Sequence, residues 1–400
     1  MNKSFVVASL LSAVLVFGGS LLAPVEVRFV ESITKNSSIS GLVFGTSSVF
    51  LIFLSYLVAK LSNKYGRKKT LLLGSLFGFV YALLYASVFN TLGIIGVKFA
   101  WAFAVAATNP VLAAYVQSSL VGNKKQGRYF GYYYSIASIA GSVGALIGGF
   151  VFEKFSFQEV VYILAVTYVV AGLVTFLLPK SENGNNDKKD QNESKSHSVF
   201  SLLRIIFKKP ELRFYFASNI STSMNWGVKP FLWPLVIFAI SGSDVVTGSI
   251  FATMGVVAFV LLPFAGAFAD RVGAYKVITI ELVLFCITGA VMVLTDNITL
   301  FWIAAAVYTV GEILNVGQAM ILTEELDEDI RSEAVALDAA FDQILGFSSP
   351  LIAGILVSSF STNIALAAFM SLYLFSLVAT SFIAQQNKLF NKRSHLVKSE

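Results

Sequence analysis

The chain has 400 residues, of which 56% are apolar and only 13% charged, about half the charged share of a soluble domain, so a soluble globular protein is excluded. Apolar runs of roughly 20 residues recur along its length, each able to cross a ~30 Å hydrocarbon layer as a helix, and they lack the alternation over about 10 residues that membrane strands need. The net charge of +6 does not point to nucleic acid, because the basic residues stand between the apolar runs, where membrane topology is encoded.

The first run, "MNKSFVVASLLSAVLVFGGSLLAP", has the lysine and small residues of a secretory signal. It continues past Pro24 to Val30, and a later span looks like its counterpart, so it is predicted to stay in place as span 1. Twelve helical spans are predicted, over about 5–29, 39–61, 70–90, 92–117, 129–152, 158–179, 212–239, 246–268, 275–295, 298–322, 333–358 and 363–385. The polar stretch "KSENGNNDKKDQNESKSHS" at 180–198 divides them six and six and has the composition of a disordered linker. After it, "VFSLLRIIFKK" has apolar and basic faces at helical spacing and suits a membrane surface. The expected organisation is a six-helix bundle over 1–179, a cytoplasmic linker over 180–211, a second six-helix bundle over 212–385 and a cytoplasmic tail over 386–400. The single cysteine, Cys286 in span 9, excludes an internal disulfide framework. Both histidines, His197 and His395, fall in linker and tail, which leaves no histidine-based or metal site in the membrane; with no nucleotide loop, neither an enzyme nor a cofactor is expected.

With the N-terminus inside the cell, 24 of the 29 basic residues lie on the inner side, leaving Arg28, Lys35, Lys98, Lys154 and Lys229. Such asymmetry fixes orientation and predicts a multi-pass protein of the plasma membrane with both termini cytoplasmic. Orientation alone accounts for the charge of the hinge "KLSNKYGRKK" at 60–69 but not for its order. That order is Ala59-x-x-x-Asn63-Lys64-x-Gly66-Arg67-Lys68-Lys69, and Gly266-x-x-x-Asp270-Arg271-x-Gly273-x-x-Lys276 follows 207 residues later. Gly141, Ala145 and Gly149 on span 5 match Gly346, Pro350 and Gly354 on span 11 at an offset of 205, and Pro24 matches Pro230 at 206. Three pairs near one offset imply two homologous halves, a feature of transporter folds.

These twin loops resemble the G-x-x-x-D-R-x-G-R-K-K signature of the major facilitator superfamily, and "NKKQGRYFGYYYSIASIAGSVGALIGGF" resembles its span 4–5 region. The resemblance covers essentially the whole chain and implies an all-α fold of twelve transmembrane helices in two pseudo-twofold-related six-helix bundles. It departs from the family at Ala59 and Asn63, where Gly and Asp are usual. Gly66 and Gly273 permit tight turns. Asp270 can face a helix N-terminus in the other half, by the family's geometry that of span 5 with Arg128 at its mouth. Uncharged Asn63 is weaker in that part; Asp338 and Asp342, one turn apart on span 11, offer acids instead, and Lys64 or Arg67 is expected to pair with Asp338 and hold the cytoplasmic side shut. The set expected to gate the conformational change is thus Asn63, Lys64, Gly66, Arg67, Lys68, Arg128, Gly266, Asp270, Arg271, Gly273, Asp338 and Asp342. The small residues of spans 5 and 11 let helices approach closely.

An ionisable group in mid-membrane costs about 2.5–3.5 kcal/mol on insertion scales. The resemblance implies that spans 1, 4, 7 and 10 line the central path, and the intramembrane charges fall there: Glu26 and Arg28, Lys98, Lys229, Glu312. Glu281, Asp338 and Asp342 lie nearer the inner ends of spans 9 and 11. On span 7, Asn219, Thr222, Trp226, Lys229 and Trp233 share one helical face; Tyr308, Glu312 and Asn315 do so on span 10, and Lys98, Trp101 and Asn109 on span 4. Trp233 also suits interfacial anchoring, while Trp226 lies deeper. Depth pairs Glu26 with Lys98 and Lys229 with Glu312. Such pairs either lock the bundles or let one acid, Glu312 first, exchange a proton. The pattern Ile94-x-x-x-Lys98-x-x-Trp101-Ala102 resembles a drug/proton antiporter motif, with Trp and Ala in place of Gln and Gly.

The resemblance implies a secondary active transporter that rocks two halves, with small-molecule substrate, protons and the bilayer as partners and a monomeric state. Proton-coupled efflux of a small amphipathic organic compound is the leading expectation. Uptake or exchange of an anionic metabolite is the alternative, because three basic groups against two acids leave the path slightly positive. A transport-inactive sensor or scaffold is a third.

Overall fold

The computed structural model describes residues 3–120, 126–179, 208–325 and 328–391. Most of the linker and the surface helix expected before span 7, the end of the tail, Lys124, Lys125 and the side chains of Arg128 and Arg331 lie outside the described residues. Among those described there are helices and no strands. Span 1 comprises Lys3–Leu22 and Glu26–Thr34; spans 2 to 6 are Ser37–Tyr65, Arg67–Ala86, Thr91–Ser119, Gln126–Lys154 and Phe157–Phe176. Spans 7 to 9 are Pro210–Ser241, Asp244–Val272 and Ala274–Leu294. Span 10 comprises Ile298–Leu314 and Val316–Glu325, and spans 11 and 12 are Glu328–Ser359 and Thr362–Gln386. Eleven of the twelve are long and apolar enough to cross a membrane. Span 7 falls short in apolarity, since Asn219, Thr222, Asn225, Lys229 and the interior prolines Pro230 and Pro234 lie within its 32 residues.

Two spans expected as continuous are broken. In span 1, Pro24 lacks an N–H and disfavours helical geometry at Ala23, and Val25 N–H reaches only to Leu22 O at 3.0 Å. In span 10 the break is at Asn315, whose N–H donates to Glu312 O at 3.3 Å while its amide is drawn off to Glu281; asparagine readily offers the backbone such alternatives. Most spans begin earlier than their apolar runs, because polar caps set their first turns. Asn36 accepts from Ser38 and Ile39 N–H, Asn90 from Gly93 and Asn297 from Thr299 and Leu300. These caps share one end of the bundle, here termed the far end. At the other, basic end, spans 3 and 9 start at Gly66 (φ 85°) and Gly273 (φ 90°), in a backbone region that side chains avoid.

The packing is twofold. Span 1 lies on spans 5 and 6, span 3 on spans 4 and 6, and span 2 on span 4; span 7 on 11 and 12, span 9 on 10 and 12, and span 8 on 10 repeat the scheme. Across the halves, span 5 packs on span 8 and span 11 on span 2, contacts that exchange when the halves are exchanged. Both seams are backbone against backbone. A Cβ on Gly45 would fall 2.5 Å from Phe347 O, and one on Gly248 would fall 2.5 Å from Ala145 O. With no lipid-to-lipid hydrophobic drive between helices, such close approach is what holds them.

Candidate functional site

The two halves each hold one ion pair between their first and fourth spans. Lys98 Nζ donates to Glu26 Oε1 at 2.7 Å, and Tyr85 from span 3 donates to the same oxygen at 3.0 Å. The Lys98 ammonium also lies 4.3 Å from the Phe44 ring, within reach of the ring quadrupole. In the second half, Lys229 Nζ donates to Glu312 Oε1 at 2.6 Å and stands 5.0 Å from Trp233 and 5.9 Å from Trp226. The charges are transposed between halves: acid on span 1 and base on span 4, then base on span 7 and acid on span 10. Trp233 is fully buried against Phe301 and Tyr308, so its place is inside the bundle and not at an interface. Tyr308 is also buried, its hydroxyl 2.6 Å from that of Tyr373.

Between the halves lies a cavity of about 480 Å³, walled by Trp101, Trp226, Asn219, Thr222, Asn315 and Asp342 among others. Trp226 is 57% exposed and is part of the cavity wall. Behind the wall, Asn219 Nδ2 donates to Asp342 Oδ1 at 3.0 Å and to Asp338 Oδ1 at 3.3 Å. Tyr215 donates to Asp338 at 2.8 Å and Ser223 to Asp342 at 2.6 Å. Gln318, just past the span 10 break, donates to Thr222 at 3.4 Å. Asn109 stands apart, in a second recess of about 360 Å³ with Ser12 and Tyr133.

Arg28 lies away from the cavity, at the far end. It bridges the halves by an ion pair with Asp244, the first residue of span 8, and its guanidinium centre lies 3.3 Å from the Phe238 ring centroid. Beside it, Glu153 of span 5 accepts from Val245 N–H at 2.9 Å and from Ser243 Oγ, a carboxylate at a helix N-terminus where the dipole favours it. Ser38 Oγ meets Ser358 Oγ at 2.6 Å on the symmetry-related seam. The far end is thus shut.

At the basic end, Asn63, Lys64, Asp270 and Arg271 are exposed, and a side chain on Gly266 would meet open space. Arg67 donates to Ala114 O at 3.2 Å and Ser118 Oγ at 2.8 Å, and Lys68 to Phe176 O and Leu178 O, both at 2.7 Å. These two cations satisfy the carbonyl ends of spans 4 and 6, which need donors. No ion pair joins Lys64 or Arg67 to Asp338 in this conformation. Asp244, Glu153, Ser223 and Gln318 were not singled out from the sequence. Asp244 and Ser243 sit in the polar run "SGSD", which reads as a loop; an acid following a serine cap was the available signal.

The sequence profile of the Major Facilitator Superfamily matches residues 8–242 and 214–395. The chain belongs to this superfamily. It is 21% identical over 281 residues to an uncharacterized MFS-type transporter of Methanocaldococcus jannaschii, covering 70% of this chain and 71% of that protein. It is 23% identical over 289 residues to the class H tetracycline resistance protein of Pasteurella multocida, again covering 70% and 71%. Among solved structures, a mutant form of the nucleoside transporter NupG superposes with a TM-score of 0.76 at 14% identity, over 98% of this chain and all of that one. This superfamily member is accordingly a multi-pass membrane transporter, all-helical and not an enzyme, with a drug-antiporter-like sequence; the structural likeness speaks for the fold alone.

Proposed function

We propose that the protein is a proton-coupled exporter of small amphipathic organic compounds, working by alternating access. The observation that carries this is the charge of the cavity. Each of the three basic groups expected in the path has a carboxylate partner: Arg28 with Asp244, Lys98 with Glu26, Lys229 with Glu312. Among the described residues that wall the cavity, Asp342 is the one with a charge, and two tryptophans, Trp101 and Trp226, share the wall. Aromatic surface beside a few fixed polar groups suits an amphipathic ligand, and the net negative wall favours a neutral or cationic one. An anionic metabolite loses its main support, because the excess of basic groups is neutralised. The class H tetracycline relative is consistent with export.

In this proposal the basic end faces the cytoplasm, so a shut far end and an open basic end describe the inward-facing state. Proton exchange is assigned to the acids of the second half at and behind the cavity wall, and Asp270, Arg271, Lys64, Arg67 and Arg128 close the basic end in the opposite state. The test is flux in proteoliposomes of purified protein under an imposed pH gradient, across a panel of cationic, neutral and anionic fluorescent compounds. Gradient-driven movement of cationic or neutral amphipaths is expected. Movement of anions alone would overturn the proposal, and absence of any flux would leave a transport-inactive scaffold.

A further inference from the structure

Glu281 lies one side chain behind the cavity wall and is completely buried. Its Oε1 receives the Asn315 amide at 3.4 Å, and its Oε2 has no hydrogen-bond partner. Among the described residues no ion pair reaches it. The ionisable groups that act on it are Glu312 on span 10, already balanced by Lys229 of span 7, and the phenols Tyr308 of span 10 and Tyr373 of span 12, which bond each other. Span 8 carries no ionisable side chain from Val245 to Ala269. Fully buried and with no cation paired to it among the described residues, an ionised carboxylate there is uncompensated, whereas a carboxylic acid can sit there as a neutral group. Asn315 is also where span 10 breaks, and it faces the cavity on its other side. Broken helices beside a central site are how transporter folds bring polar groups to coupling ions.

We propose that Glu281 is the proton-carrying carboxyl of this transporter and that Asn315, on the span 10 break, is the side chain that screens it from the cavity or admits water to it. The assignment rests on the proton-coupled reading above and replaces Glu312, the acid the sequence put first, with Glu281. Loading forms one O–H bond on Glu281 as a hydronium ion in the cavity gives up its proton. Release on the opposite face returns that proton to water, and no other bond changes. Glu312 stays paired with Lys229 as a fixed ion pair.

Two measurements on full-length protein test this. Infrared difference spectra of the protein in lipid, stepped from acidic to alkaline buffer, should show a protonated-carboxyl band in the wild type that Glu281→Gln loses. A band unchanged in Glu281→Gln overturns the proposal, whatever drives transport. In proteoliposomes with ethidium as probe, Glu281→Gln should lose gradient-driven flux yet keep ethidium counterflow, and Glu281→Asp should regain part of the former; counterflow also shows that the variant is folded. Gradient-driven flux persisting in Glu281→Gln overturns the assignment alone. Wild-type protein that moves ethidium at a rate indifferent to the gradient overturns the proton-coupled reading and this proposal with it.

Discussion

The two halves share one scaffold and differ in what they do with charge. In the first, Glu26 has a lysine and a tyrosine and Lys98 is buried to 4% exposure, so the pair is saturated and walled in. In the second, one lysine faces a group of acids: Glu312 takes it, while Glu281, Asp338 and Asp342 make do with amides, hydroxyls and a phenol. A twofold fold therefore need not divide its work evenly. The first half has its mid-membrane pair saturated, and the second holds the surplus carboxyl groups at and behind the cavity wall.

The strongest way to break this comparison is to remove one partner at a time. Lys98→Met leaves Glu26 buried and uncompensated, and should cost about 3–5 kcal/mol, read as a fall in unfolding temperature in detergent. The double change Glu26→Gln with Lys98→Met should recover most of that loss and keep transport. The matching double change, Glu312→Gln with Lys229→Met, should recover stability but not transport, since Lys229 stands against Trp226 of the cavity wall; equal behaviour of the two doubles would dissolve the distinction. Next in size, Asp244→Asn should weaken the bridge to Arg28 and shift the balance toward opening at the far end by about 1–3 kcal/mol, measured by distances between spin labels on the ends of spans 2 and 11. Trp226→Ala should weaken binding of a cationic probe by about 1–2 kcal/mol if its indole face contacts the ligand, with little change in unfolding temperature; Trp233→Ala, in contrast, should mainly destabilise, because that ring is core. The smallest effect belongs to Asn63→Asp. It adds a carboxylate at the exposed basic end and should shift the inward population by under ~1 kcal/mol.

Much of this was legible in the sequence. Charges in hydrocarbon must find partners; Glu26 and Lys98 both fall in the outer halves of their spans, and counting helical rise put Lys229 within a few ångströms of the depth of Glu312. The repeat was legible because glycines in tight turns tolerate no substitute, and Gly66 and Gly273 take up nearly the same positive φ. What escaped was tertiary. Arg28 was placed in the path because depth along a helix says nothing of direction around it. The hinge cations Arg67 and Lys68 end on carbonyls more than forty residues away, and backbone carbonyls leave no trace in sequence. The break at Asn315 was hidden in an apolar run whose composition suits a continuous helix, and Glu281 reads as an ordinary acid until its surroundings are known.

The seams at Gly45–Phe347 and Gly248–Ala145 carry a last consequence. Where main chain slides on main chain, there are no rotamers to reset and few interlocking knobs to lift clear, so the joint behaves as a bearing with little friction of its own. The barrier to rocking must then come from the polar latches at either end, and a methyl group added on a seam should act as a wedge that jams the hinge while leaving every charged residue in place.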